Sequence, residues 1–363
     1  MKYKNVTIII HDITKRAGTE RAVCNLANIF IQYGMYLPKI ISIHSSKGES
    51  VYLLNKKVEI IHFGIKKAKN KFEKVIEYIF IFILLNNIIK YNNIDILIGT
   101  IIGINIPLSF IKNKNIIKIA CEHFNYNAVS KINMFLRRLF YQNLDAVVVL
   151  TLSDKENYYF TNNVKVIPNS LSFLPKKKAE LQSKIILSIG RYSYQKNFEA
   201  IIKAIFLIKE KCFGWQVRII GDGEEKEKLV KLIKEKKLED IVLLIPPTNK
   251  IEKEYYNADF FVMCSHFEGL PMVLIEAKSY GLPLVSFDCP YGPSEIIRNN
   301  IDGILVENGN INKLAEAILK LIENPELKKE YGNESLKDIE KYSPEIIFYH
   351  WDNLFKEKLC YFQ

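Results

Sequence analysis

Two glutamates with seven residues between them, Glu268 and Glu276, and two cations five positions apart, Arg191 and Lys196, have types and spacing suited to chemistry on a phosphorylated ligand. Both glutamates lie in Ser265-His266-Phe267-Glu268-Gly269-Leu270-Pro271-Met272-Val273-Leu274-Ile275-Glu276-Ala277. The apolar run 259–264 before it suits a buried parallel strand. Gly269 permits a sharp turn, Pro271 fits a first helical position, and Met272 to Tyr280 reads as helix stopped by Gly281. A helix start presents unpaired N–H groups and partial positive charge, a place for an anion such as a diphosphate. Glu276 falls roughly 7 Å past that start, between Ile275 and Ala277. A carboxylate in such company needs a partner, and ligand hydroxyls would serve. The plainer alternative is a solvated loop acid at 268 and an exposed helix face at 276.

Arg191 and Lys196 follow a strand at 184–189 and Gly190, and precede a helix from about Phe198. Strand, glycine, two point charges and a helix start suit diphosphate binding; a solvated loop with two ordinary cations is the alternative. Near the N-terminus a strand at 5–10 leads into Asp12-Ile13-Thr14-Lys15-Arg16-Ala17-Gly18-Thr19-Glu20-Arg21-Ala22, with Thr19 as N-cap of a helix reaching Gly34. This loop lacks the Gly-x-Gly-x-x-Gly fingerprint and the Gly-Lys-Ser/Thr of nucleotide hydrolases. His123, after a strand at 116–120, sits where open α/β sheets place ligands, though a lone histidine can equally be structural.

Further strands are expected at 39–43, 58–62, 94–99, 146–150, 215–220, 242–245 and 284–287, separated in many places by helical patterns. That alternation predicts parallel sheets covered on both faces. At 363 residues the chain calls for two domains. Net charge is +11 and unevenly placed: residues 1–172 hold 23 Lys+Arg against 11 Asp+Glu (net +12), the remainder 28 against 29 (net −1). The first half therefore expects an anionic partner: membrane surface, phosphorylated substrate or nucleic acid. Five lysines at 66, 67, 69, 71 and 74 precede an apolar run from Val75 to Leu85, too short for the roughly 20 residues of a membrane span. This segment (66–90) reads as a core helix or an interfacial one, and 131–141, with Phe135, Leu136, Arg137, Arg138, Leu139 and Phe140, is a second basic, apolar candidate for a membrane surface. Six scattered cysteines without Cys-x-x-Cys argue against zinc or disulfides and for a reducing compartment, and no signal-peptide pattern opens the chain.

The glutamate motif, Gly190-Arg191-x4-Lys196, the Gly221-Asp222-Gly223 turn, Val166-Ile167-Pro168-Asn169 and Ala17-Gly18-Thr19-Glu20-Arg21 together resemble retaining glycosyltransferases of family 4. Likeness is strongest over 184–306 and weak over 45–115; Ala17 replaces the family's first glycine, and Pro246-Pro247 replaces a glycine of the loop that reads the nucleobase. The resemblance implies an α/β GT-B architecture, two Rossmann-like parallel-sheet domains facing across a cleft. It implies an acceptor-binding domain over 1–172, a linker at 173–183, a nucleotide-sugar-binding domain over 184–342, and a C-terminal helix over 343–363 crossing back to the first domain. By the same resemblance the catalytic set is Glu268, His123, Arg191 and Lys196, and the donor contacts are Gly18, Arg191, Lys196, Glu268, Gly269, Leu270, Pro271, Val273, Leu274 and Glu276.

The implied reaction moves a hexose or N-acetylhexosamine from a nucleoside-diphosphate sugar, UDP by family frequency, to a glycan hydroxyl with retention. No Asp-x-Asp motif holds a catalytic metal, so neither metal nor cofactor is expected, and the protein's own cations replace Mg²⁺. The basic first half points to a polyprenyl-diphosphate-linked acceptor in surface polysaccharide or glycan synthesis, and to a cytoplasmic protein peripheral on the inner face of the cytoplasmic membrane. A UDP-GlcNAc 2-epimerase-like enzyme and a noncatalytic basic binding protein are the alternatives; no aromatic-basic module supports nucleic acid as partner.

Overall fold

The computed structural model describes residues 3–360, apart from the side chain of Ala128. The last three residues of the C-terminal helix expected over 343–363 lie outside the described residues. The chain divides into two compact units: one ends at Ser172 and takes up the chain again from Tyr342, the other runs Phe173–Lys341.

The first unit contains β1 (Lys4–Ile10), α1 (Gly18–Tyr33), β2 (Tyr36–Ser42), β3 (Glu59–His62), α2 (Lys71–Tyr91), β4 (Ile96–Gly99), α3 (Ile102–Ser109), β5 (Ile117–Cys121), α4 (Lys131–Phe140), β6 (Ala146–Val149), α5 (Leu152–Lys155) and β7 (Val164–Val166). Its seven strands are all parallel in the order β3-β2-β1-β4-β5-β6-β7. Near-continuous Ile and Val in these strands is what a sheet buried on both faces requires. One face packs a core containing Ile8, Val23, Phe30 and Ile98, the other a core containing Ile9, Leu97, Ile104 and Val147. Alternating residues of one strand thus serve opposite layers.

β2 begins three residues earlier than expected and runs through Pro38. Proline belongs on sheet edges, and here its position acts as one: pairing with β3 starts only at Lys39, so Pro38 has a strand neighbour on the β1 side alone. The first helix starts at Gly18 with Ala17, extended and without a side-chain cap, at the cap position, so the expected Thr19 cap is corrected.

The second unit contains β8 (Ile185–Ile189), α6 (Phe198–Leu207), β9 (Gln216–Ile220), α7 (Lys226–Glu235), β10 (Val242–Ile245), α8 (Ile251–Tyr256), β11 (Phe260–Met263), α9 (Met272–Ser279), β12 (Leu284–Asp288), α10 (Pro293–Ile296), β13 (Gly303–Glu307), α11 (Ile311–Glu323) and α12 (Pro325–Ser335). Its parallel strand order is β10-β9-β8-β11-β12-β13. The chain leaves β8 toward one edge, returns, and continues from β11 toward the other. The first unit reverses in the same way between β1 and β4. Open α/β sheets bind ligands at such reversals, outside the carboxyl ends of the strands.

The last helix, α13 (Pro344–Cys360), belongs to the first unit, where Trp351, Leu354 and Phe355 join the core beside Phe30 of α1. Ser343 caps it by accepting from the Ile346 N–H at 3.3 Å. Arg137, expected on a membrane-facing segment, is instead fully buried. Its guanidinium lies 4.9, 5.8 and 5.5 Å from the ring centres of Tyr126, Tyr141 and Tyr158 and donates to Glu122 at 2.9 Å, a cage that keeps a buried charge paired.

Candidate active site

In the second unit the loops after β8 and β11, neighbouring strands at the reversal, bring most of the expected residues together. Lys196 Nζ donates to Glu268 Oε1 at 2.6 Å, and both side chains are largely enclosed. Two further bonds tie the loops: the His266 N–H donates to the Gln195 carbonyl at 2.8 Å, and Gln195 Nε2 donates to the Phe267 carbonyl at 3.1 Å. The Tyr194 ring stacks on His266 with centroids 4.5 Å apart. Asn197 takes the left-handed conformation that turns the chain from the Lys196 loop into α6.

Pro271 occupies the cap position of α9 rather than the first helical position, and its side chain makes no capping bond. The Leu274 N–H turns back to the Pro271 carbonyl at 3.0 Å. Leu270 and Leu274 are buried, whereas Gly269 and Val273 remain partly open. Gly281 ends the segment with φ +73°, as the glycine stop requires. Glu276 is buried and accepts from the Tyr255 hydroxyl at 2.8 Å, and Tyr255 stacks on Tyr280 at 5.4 Å. The exposed-face alternative for Glu276 therefore fails: it is a fixed acceptor one helical turn inside α9.

Sequence reasoning missed Tyr255, Gln195 and Gly292. A Cβ on Gly292, at φ +95°, would fall 2.5 Å from the Gly269 carbonyl oxygen and 2.5 Å from Pro271 Cδ, so this glycine lets the loop after β12 press against the motif. Pro290 and Pro293 around it were the one available signal. Arg191 sits on the exposed rim, its guanidinium held by Glu224 at 3.0 Å. Cys289 is buried beside this loop and its thiol is pushed up to about 12 by burial, then by Glu268 and Asp288, so it is no nucleophile.

Gly18 and His123 lie in the first unit. Gly18 is exposed at the start of α1, and an added Cβ there would meet nothing within 4 Å. His123 follows β5 and helps line a small cavity with Ile8, Ala22, Thr100, Asn169 and Trp351. Burial pulls its imidazole down to about 4, opposed by Glu122 and by a hydrogen bond with Asn169, the asparagine of the Val-Ile-Pro-Asn stretch. His11, after β1, is pulled lower still, to about 3, chiefly by burial and then by His44 and Lys74.

A family profile described as "Glycosyl transferases group 1" matches residues 172–338. An uncharacterized glycosyltransferase of Haemophilus influenzae is 32% identical over 97% of this chain and 99% of its own length. The amylovoran biosynthesis glycosyltransferase AmsD of Erwinia amylovora is 30% identical over 96% of this chain and 98% of its own. A Campylobacter jejuni α-1,4-N-acetyl-D-galactosaminyltransferase, whose name gives a diNAcBac-PP-undecaprenol glycan as acceptor, is 28% identical over 94% of this chain and 95% of its own. Among solved structures, a mutant of S. aureus TarM in complex with fondaparinux, alpha-GlcNAc-glycerol and UDP shares the fold, with a TM-score of 0.80 over 97% of this chain and 99% of that one at 20% identity.

The lowered pKa of His123 has a signed consequence. A neutral imidazole favoured by the fold contributes stability that is complete above the unfolded value of about 6.5 and is lost as pH falls toward 4. Denaturant titrations from pH 7 to 4.5 should show His123→Gln losing less stability than the parent, by up to about 3 kcal/mol; parallel curves would contradict a buried neutral histidine.

Proposed function

Because this chain belongs to the group 1 glycosyl transferases, with the two Rossmann-like parallel-sheet domains of the GT-B fold, we propose that it is a retaining enzyme using the second unit to hold a nucleoside-diphosphate sugar, UDP-linked. The observation that carries the reading is Lys196 paired with Glu268 across the two loops at the strand reversal, beside the uncapped start of α9.

The chemistry runs as follows. The bond between the anomeric carbon and the phosphate oxygen breaks, and its electron pair leaves with the diphosphate. Lys196 and the α9 backbone meet the growing negative charge from where they stand, and Arg191 joins them. Arg191 must leave Glu224, which costs little: an exposed pair of this kind contributes roughly 0–1 kcal/mol. Glu276, fixed by Tyr255, accepts from ribose hydroxyls, and Glu268 lies against the transferred sugar as its positive character develops. Gly269, Leu270, Pro271, Val273 and Leu274 shape the wall between these two carboxylates, and Gly18 leaves backbone open at the head of α1. The acceptor hydroxyl attacks the same face, and its proton goes to the departing phosphate oxygen. His123 of the first unit, held neutral by burial, offers a hydrogen bond rather than a charge.

The acceptor we propose is a polyprenyl-diphosphate-linked glycan of a surface polysaccharide, met at a membrane surface by the first unit. Support comes from the acceptor in the name of the C. jejuni relative, the net +12 over residues 1–172, and an apolar face on one side of that unit. Phe72, Val75, Ile79, Phe80 and Ile83 of α2 and Ile132, Phe135 and Leu139 of α4 are exposed. Phe110, just past α3, touches Phe82 of α2 and Phe140 of α4, so both helices share one side of the sheet. No helix of the described residues is long and apolar enough to cross a membrane.

Thermal-shift and donor-hydrolysis assays against UDP-, GDP- and ADP-sugars should show one nucleotide stabilising the protein. Lys196→Ala and Glu276→Ala should each weaken that binding by about tenfold or more, the equivalent of a lost charged hydrogen bond. A shift that survives both substitutions would place the nucleotide elsewhere. Cosedimentation with anionic vesicles at low salt should be strong and should fall for Ile79→Asp/Phe135→Asp; a protein that ignores the vesicles would remove the membrane part of the reading.

A further inference from the structure

The first unit holds a group of side chains that the glycosyl-transfer reading leaves unused. His11 follows β1, His44 follows β2, and Glu77 projects from α2. One ligand-type atom from each lies within 4.8 Å of the other two. Pairing of β1 with β2 carries on past the strands, where the His44 N–H donates to the His11 carbonyl at 2.7 Å and the two imidazoles stand 4.8 Å apart. Glu77 and His44 have only 2% and 7% of their side-chain surface exposed.

The hydrogen bonds around the group define its free electron pairs. His44 Nδ1 meets the Ile65 carbonyl at 2.8 Å, and a carbonyl can only accept, so Nδ1 carries a proton and, in the neutral ring, Nε2 holds the lone pair. That Nε2 is buried without a hydrogen-bond partner and points at Glu77 Oε1, 3.6 Å away. His11 Nε2 is likewise buried without a partner. Glu77 is anchored from behind, its Oε2 accepting from the Ala68 N–H at 2.9 Å, while Oε1 faces the imidazoles and Lys74 Nζ at 3.0 Å. An imidazole fixed by a backbone carbonyl on its far nitrogen is the arrangement that orients a metal-ligating histidine. With the imidazole neutral, Nε2 and the carboxylate are two acceptors facing each other across 3.6 Å, a contact that a proton or a metal cation between them resolves.

We propose that His11, His44 and Glu77 bind a divalent transition-metal ion of the zinc class. Two imidazoles and one carboxylate suit zinc. Tetrahedral ligation at about 2.1 Å puts ligand atoms about 3.4 Å apart, and the His44–Glu77 separation of 3.6 Å is already near that edge. Space is limited around the third ligand: a Cβ on Gly103, in α3, would stand 3.1 Å from His11 Nε2. Lys74 is the ion's competitor for Glu77 Oε1, and its half-open side chain can swing into water when the ion enters. The bound ion would fasten α2, which carries the exposed apolar residues at 72, 75, 79, 80 and 83, to the ends of β1 and β2. The site stands apart from the nucleotide reading, which uses no metal.

The test uses the full chain, stripped with chelator and titrated with Zn²⁺ by calorimetry and with Co²⁺ by its visible d–d absorption. One equivalent should bind, with a Co²⁺ spectrum of four- or five-coordinate intensity. His44→Ala should weaken Zn²⁺ about 100-fold or more, beyond the loss expected from a mere outer-shell contact. Lys74→Gln, which removes the charged competitor for Glu77 Oε1 and no proposed ligand, should tighten it about tenfold. Binding of one equivalent unchanged in His11→Ala/His44→Ala would assign the ion to other side chains and overturn the site. So would absence of any one-equivalent Co²⁺ spectrum. If the alanine variants fail to fold, the Lys74→Gln result decides: affinity equal to or below the parent's contradicts the proposal.

Discussion

The second unit turns on one ion pair, Lys196 with Glu268, formed between loops that follow adjacent strands. A largely enclosed ammonium without a counterion is costly. Glu268 resolves this by supplying the counterion from the loop opposite. The two bonds of Gln195 and His266 then set the loops in register, so that the pair forms at one place. Since β8 and β11 are neighbours only because the chain reverses there, the topology of the sheet is what makes the pair possible.

The same principle shapes the rest of that unit. Glu276 is buried and held by Tyr255, and Tyr255 is itself held by stacking on Tyr280. Elsewhere buried charge is handled purely structurally. Lys278, wholly enclosed on the far side of α9, donates to Asp302 at 2.9 Å and to the Ile296 carbonyl at 2.7 Å and pairs with Asp338 at 2.8 Å. One short helix therefore carries a buried carboxylate held by a tyrosine and, two residues on, a lysine committed to packing. Breaking the latter by removing one partner would cost about 3–5 kcal/mol.

What the sequence disclosed follows from how far its signals reach along the chain. Buried parallel strands such as β1 and β12 are contiguous apolar runs, so they are legible, and the Glu268–Glu276 and Arg191–Lys196 segments are each a single loop joined to one helix. Residues brought together from afar were not legible. Arg137 looked like part of an interfacial segment because Tyr126, Tyr141, Tyr158 and Glu122, which enclose it, come from four separate places. Tyr255 carries no local sign that it meets Glu276 twenty-one positions on. His11, His44 and Glu77 have no metal-ligand spacing at all; the pairing of β1 with β2 and the position of α2 create their proximity.

The central claim is that the diphosphate sits between Lys196 and the start of α9, with the ribose on Glu276. A crystal structure with the nucleoside diphosphate that most stabilises the protein tests it most directly. The account predicts phosphate oxygens at about 2.7–3.1 Å from Lys196 Nζ and from backbone N–H groups of the first turn of α9, and ribose hydroxyls at hydrogen-bond distance from Glu276. A nucleotide bound in the second unit with its phosphates away from Lys196, or its ribose away from Glu276, would contradict it.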